Sequence, residues 1–255
     1  MALHRWGGGP PLVFLHGWTM TGDVWAPVAE QLAMTSLAPD LPAHGGTTGY
    51  APSVAGGVAL LGDLIADEGL AGVTLVGWSL GALIGWAYLA QGGAGVARMV
   101  SLDMSPRPLP APGWEFAMRA QSADKAARSA ARFRSDWPGS ARAIAQGMFA
   151  RPEGGKAMSA AQAEARIRAQ DPEAMAQFWD SLISADARGS IPAPGVPMLA
   201  IHGALSRVYP PASATWIAAN ASDGRALVLP GCGHAPLLED PDAVARAITD
   251  FVRQT

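Results

Sequence analysis

Short apolar runs alternate along this chain with segments whose apolar residues recur every three to four positions. The runs at 11–17 (Pro-Leu-Val-Phe-Leu-His-Gly), 37–41, 73–78, 97–102, 198–202 and 226–229 predict buried strands. A weaker strand is expected ahead of the Gly7-Gly8-Gly9-Pro10 turn. Helical periods occupy 54–65, 82–91, 212–221 and 241–252. A further one spans 24–33, where Trp25, Val28, Ala29 and Leu32 fall on one face. Strands alternating with helices imply parallel βαβ units and a mostly parallel central sheet with helices on both faces, an α/β fold.

The rhythm breaks after Asp103. A Pro-rich connector at 106–113 leads into a stretch to about 189 that is rich in Ala, Arg, Gln and Met and holds no strand-like run. Three or four amphipathic helices are expected there, with breaks near 137–139, 152–155 and 171–172. A second Pro-rich connector at 191–197 returns the chain to its α/β pattern. The expected organisation is a core of residues 1–106 and 190–255, with a helical lid, 107–189, inserted after the sixth strand and placed over one end of the sheet.

Composition narrows the function classes. Of the 255 residues 49% are hydrophobic and 15% charged, which suits a large globular core. The net charge of −3 gives no drive toward nucleic acid or membrane surfaces. No apolar run approaches the ~20 residues of a membrane span, and residues 1–10 hold no apolar core of signal-peptide length. A cytoplasmic monomer or dimer is the expectation. The single cysteine, Cys232, excludes an internal disulfide, and the scattered histidines hold no His-x-x-x-His pair, so neither metal nor cofactor is expected. The charge is uneven: residues 107–189 carry 12 Lys/Arg against 9 Asp/Glu, and the remainder is acidic. Solvated arginine on helix faces explains this blandly. A lid that faces an acidic substrate or an acidic carrier protein explains it more sharply.

The candidate chemistry centres on Gly77-Trp78-Ser79-Leu80-Gly81. An apolar strand runs into it and a helix runs out, so the serine hydroxyl stands exposed above the strand's end on a sharp turn that tolerates only small flanking residues. An ordinary tight turn is the competing account. A serine nucleophile needs a base and a group to orient that base. His234 follows Gly231-Cys232-Gly233 directly after the last strand, with Pro236 behind it, and can swing over the sheet's end. His4, His16, His44 and His202 are expected to be structural. A tetrahedral intermediate needs N–H donors, and Leu80 offers one at the start of the helix.

These motifs resemble those of the α/β-hydrolase superfamily, almost end to end. His16-Gly17-Trp18 resembles its oxyanion loop, so Trp18 N–H is implied as the second donor. Asp40-Leu41-Pro42-Ala43-His44-Gly45 resembles its Asp-x-x-Gly-x-Gly loop, departing at His44 and Gly45. Gly77 to Gly81 resembles the nucleophile elbow and Gly231 to His234 the histidine loop, in the family's order of serine before histidine. With Asp23-Val24-Trp25 and Gly-Trp-Ser-Leu-Gly added, the chain is most similar to the pimeloyl-[acyl-carrier-protein] methyl ester carboxylesterases of biotin synthesis. One departure matters. That subfamily carries its triad aspartate in the loop after the strand at 198–202, where this chain has Ser206. Asp103, at the end of the strand after the nucleophile helix, is the replacement candidate, because a carboxylate there points into the same crevice as Ser79. A cap or turn residue is its bland alternative. Glu239 and Asp240 are expected to cap the last helix.

The resemblance implies a serine carboxylesterase acting through an acyl-enzyme on a small ester, with pimeloyl-carrier methyl ester as the specific substrate. Met118, Phe133, Met148, Phe149, Met175, Phe178 and Trp179 suit an apolar acyl site under the lid, although most of these pack the lid itself, and Trp78, Phe133, Met148 and Phe149 are expected to bind the substrate. Arg128, Arg132, Arg134 and Arg142 would meet the acidic carrier. Three alternatives stay open: a general short-chain carboxylesterase, a carbon–carbon bond hydrolase or perhydrolase on the same triad, and a non-catalytic binding module that kept the fold.

Overall fold

The strands that position the site form one sheet in the computed structural model, which describes residues 1–193 and 195–255. Pro194, inside the second connector, lies outside the described residues. Among the described residues the strands are β1 (Leu3–Trp6), β2 (Pro11–Leu15), β3 (Thr35–Pro39), β4 (Val73–Trp78), β5 (Val96–Leu102), β6 (Met198–Gly203) and β7 (Gly224–Leu229). They are ordered β1-β3-β2-β4-β5-β6-β7. Only β1 runs antiparallel to its neighbour.

Successive residues of a strand point to opposite faces. In β2, Leu12 and Phe14 enter one apolar cluster and Val13 and Leu15 the other. The same split divides Val100 from Met99 and Ile201 from Ala200. Both faces are buried, which is why these strands read as unbroken apolar runs rather than as an alternation. Among the described residues the helices are α1 (Ala26–Ala29), α2 (Val54–Asp67), α3 (Leu80–Ala90), α4 (Ala123–Ser135), α5 (Trp137–Met148), α6 (Ala160–Arg168), α7 (Pro172–Ser184), α8 (Ala212–Asn220), α9 (Pro236–Glu239) and α10 (Pro241–Gln254). Leu61 of α2, Leu83 of α3 and Ile217 of α8 join one cluster; Val28 of α1 and Val244 and Ile248 of α10 join the other. No described helix is long and apolar enough to cross a membrane.

Two expectations change. The predicted helix at 24–33 is a 3-10 turn, Gly22–Trp25, followed by the four-residue α1, although its four apolar positions are all buried as expected. The chain tightens into turns after α1, with Gln31 N–H donating to Val28 O and Leu32 N–H to Ala29 O, and so reaches β3, where Thr35 N–H donates to Pro10 O. The helical insertion, α4 to α7, leaves the sheet after the fifth strand, not the sixth, because β5 hands directly into it and β6 takes up the chain afterwards. Its expected breaks resolve into caps. Asp136 accepts from Gly139 N–H at 2.9 Å at the start of α5, and Asp171 from Ala174 N–H at 2.7 Å at the start of α7.

From β2 the chain steps to β3 on one side, then crosses to β4 on the other. The crevice beyond the C-terminal ends of β2 and β4 is therefore a topological switch point, where open α/β sheets place their ligands. His16-Gly17-Trp18 follows β2 and Ser79 follows β4.

Candidate active site

Ser79 alone makes the turn between β4 and α3, at φ 50° and ψ −115°. Positive φ strains a residue that carries a Cβ. The turn is held by Ser79 N–H donating to Leu102 O at 2.9 Å, and by Ser79 O accepting from Ala82 N–H at 2.9 Å. A Cβ on Gly77 would strike Ala82 N, and one on Gly81 would strike Leu15 O, so strand and helix approach too closely for any side chain at either place. The Ser79 side chain makes no capping bond to its own helix.

His234 sits in the loop after β7. Its N–H donates to Met148 O at 2.9 Å, and its carbonyl accepts from Trp78 Nε1–H at 2.7 Å. Its Nδ1 lies 2.8 Å from Asp103 Oδ1. A carboxylate only accepts, so Nδ1 carries the proton and Nε2 remains the basic nitrogen. Asp103, fully buried just past β5, has φ 42° and donates its own N–H to Ile201 O at 2.8 Å. Its carboxylate accepts three hydrogen bonds: from His234, from Ser206 Oγ–H at 2.7 Å and from Gly203 N–H at 3.0 Å. Donors of this kind satisfy the oxygens of a buried carboxylate. Ser206, where the sequence departs from the subfamily it resembles, is thus bonded to the Asp103 carboxylate. Its Oγ also accepts from Val208 and Tyr209 N–H, each at 3.3 Å.

Of the remaining histidines, two hold the loop after β2. His16 Nε2 accepts from Leu41 N–H at 2.8 Å while its Nδ1–H donates to Gly17 O at 2.8 Å. His44 Nε2 accepts from Thr19 N–H at 3.0 Å while its Nδ1–H donates to Pro42 O at 2.9 Å. Burial pushes their pKa values down to about 4 and about 3, so both rings are neutral props at neutral pH. His202 is fully buried, with Nε2 3.2 Å from Met104 O, and His4 meets Asp40 at 3.1 Å. Among the described residues, neither Trp18 N–H nor Leu80 N–H has an acceptor. The Trp18 ring reaches into the insertion, 5.1 Å from Phe133 and 5.3 Å from Trp179 between centroids, and its Nε1–H donates to Met175 O at 3.1 Å.

Glu239 does not cap α10 as expected; Asp240 does, accepting from Ala243 N–H at 3.3 Å. The Glu239 carboxylate instead accepts from Gly233 N–H at 2.7 Å and Ala235 N–H at 3.3 Å, on either side of His234, and from Ala150 N–H at 2.6 Å in the insertion. Burial raises its pKa in spite of those donors. Glu239→Ala would strand three backbone donors, and since each buried orphan costs about 1–3 kcal/mol, a loss of about 3 kcal/mol or more is expected. Urea unfolding checks it: a midpoint equal to that of the native protein would refute this role. Cys232, beside that loop, is buried with its thiol pushed up to about 12, chiefly by burial, and is no rival nucleophile.

Ser79, His234, Trp18 and Trp78 line a cavity of about 350 Å³ beneath the insertion. Phe133, Met148, Met118 and Trp179 line it as well. Phe149 does not: α5 ends at Met148, the backbone turns extended at Phe149, and the ring is buried in the apolar core. Met175 and Phe178 are likewise buried in packing. Of the four arginines expected to face a carrier, Arg132 lines the cavity and lies 3.2 Å from Asp136. Arg134 pairs with Glu173 at 2.7 Å and Arg142 with Glu164 at 3.6 Å. Arg128 is exposed on α4.

A parallel sheet with a strand–serine–helix turn at its switch point defines an α/β hydrolase. Residues 12–247 match the alpha/beta hydrolase family, and the chain belongs to it. It is 32% identical over 257 residues to the pimeloyl-[acyl-carrier protein] methyl ester esterase of Aromatoleum aromaticum, covering 96% of this chain and 98% of that one. The protein of the same name from Chromobacterium violaceum is 30% identical, covering 96% and 95%. In three dimensions the chain is similar to an esterase from Exiguobacterium antarcticum (TM-score 0.88, 19% identity, 98% and 94% covered). It is as similar to a bromoperoxidase from Bacillus anthracis (TM-score 0.88, 17% identity, 98% and 94% covered). That pairing marks the fold as shared by different chemistries.

Proposed function

We propose that this protein is a serine carboxylesterase acting through an acyl-enzyme, with a methyl ester of a carrier-bound acyl chain as its substrate. The observation that carries the reading is the 2.8 Å bond from His234 Nδ1 to the buried Asp103, on a histidine that lines one cavity with Ser79. In the reaction, Ser79 Oγ attacks the ester carbonyl and His234 Nε2 takes its proton. Asp103 holds the ring and stabilises the imidazolium, and the N–H groups of Trp18 and Leu80 receive the oxyanion. The imidazolium returns the proton to the departing alkoxide. Water then attacks the acyl-enzyme by the same route and frees the acid. The identity to two relatives named for a carrier-bound methyl ester supports the substrate. The cationic insertion suits an acidic carrier.

The test compares pimeloyl-carrier methyl ester with p-nitrophenyl butyrate as salt rises. KM for the carrier substrate is expected to rise about tenfold from low salt to about 1 M, where surface attraction is screened, while the small ester is unaffected. Indifference to salt, and to replacement of Arg128, Arg132, Arg134 and Arg142, would leave a general short-chain esterase as the better description.

A further inference from the structure

The cavity holds two arginines, Arg119 and Arg207, that lie outside the carrier patch, beside Arg132, which belongs to it. Its lining contains Arg119, Arg132 and Arg207 and no acidic residue, in a chain whose net charge is −3. These three come from separate segments: the stretch before α4, α4 itself, and the loop after β6. Arg119 N–H donates to Val208 O at 2.8 Å, which ties the first and third together. Most other arginines of the insertion are neutralised, as Arg134 is by Glu173, Arg166 by Asp23 and Arg188 by Asp186. Among the described residues Arg119 and Arg207 have no carboxylate within 4.0 Å, and Arg132 has only the solvent-exposed Asp136, a pairing worth little. The depth ordering adds direction. Ser79 and His234 are buried, the three arginines are exposed, and Phe133, Met148 and Trp179 lie along the same wall.

We propose that the cavity mouth is an anion subsite, where Arg119, Arg132 and Arg207 hold a carboxylate or phosphate at the far end of an acyl chain whose ester lies at Ser79. Guanidinium forks match both oxyanions. The proposal rests on Ser79 as the reacting centre and goes beyond the carrier-bound substrate to a second class: free esters with an apolar chain and a terminal anion.

Three chain-matched methyl esters test it, ending in methyl, carboxylate or phosphate. Charge-assisted bonds give an expected preference of about tenfold or more in kcat/KM for the anionic esters at low salt. The double variant Arg119→Gln/Arg207→Gln loses that preference through KM, and the control Arg253→Gln, on the last helix, keeps it. The better of the two anions names the source. Equal turnover of all three esters, or a preference that survives the double variant, overturns the subsite. If the native protein hydrolyses none of them, the reading of Ser79 fails. Calorimetric binding of the same esters to Ser79→Ala protein then decides the subsite alone: tighter binding of the anionic esters, lost with the arginines, supports it, and equal binding overturns it.

Discussion

Asp103→Asn is expected to lower kcat/KM for carboxylic esters by about 10⁴-fold while leaving the protein folded. Asn keeps the size of Asp and can still accept from Gly203 through its oxygen, which leaves its NH2 at the position where His234 and Ser206 both donate. Facing His234 Nδ1, however, it can present an N–H where only an acceptor works. The ring then turns to the tautomer whose Nε2 bears hydrogen, and the base is lost. Ser206→Ala removes one of three donors from the same carboxylate, a charged hydrogen bond worth about 1.5–3 kcal/mol, so a loss of tenfold or somewhat more is expected. The measurement is kcat/KM across pH, with circular dichroism as the check on folding. Full activity in Asp103→Asn would show that the orienting acid lies elsewhere.

Ser79→Ala should abolish labelling by a fluorophosphonate and lower turnover by at least about 10⁴-fold. A native protein that never labels would favour a binding module on the same fold. Ser79 also invites a second substitution. At φ 50° its backbone is strained, and glycine takes that conformation without penalty. Ser79→Gly should therefore be inactive yet more stable than Ser79→Ala by about 1 kcal/mol. Thermal unfolding of the two inactive proteins side by side reads this directly, and equal midpoints would mean that the turn stores no strain.

What could be read in the sequence follows from what each residue touches. The strands were legible because both faces of the sheet are covered, which leaves long apolar runs. The elbow was legible because Gly77 and Gly81 are forced by contacts with near neighbours and with β2. Asp103 could be reached only by its place at a strand end, and its partnership with Ser206 not at all, since an exchanged hydroxyl looks like a loss until its neighbour is known. Glu239 escaped because one of its three donors, Ala150, lies 89 positions away. An acid before a helix reads as a cap when only local spacing is available. Phe149 escaped for a related reason: the helical period runs on past Met148, but the helix does not. The arginines show the limit of counting charge along a chain. Arg134 meets Glu173 across 39 positions, and that pairing removes it from any simple patch.

The acid's location has a consequence for tracing descent. Leu102 pairs with Ile201 across β5 and β6, so Asp103 and the loop holding Ser206 leave the sheet side by side. Two adjacent strand ends thus meet at one carboxylate, whose Oδ1 is bonded by both the Ser206 hydroxyl and the imidazole. The position of the acid in chain order is then a poor marker of kinship among such proteins. The residue at 206 is therefore, on its own, a poor guide to whether a chain of this fold holds a carboxylate against its histidine; here Asp103 does so from the neighbouring strand end.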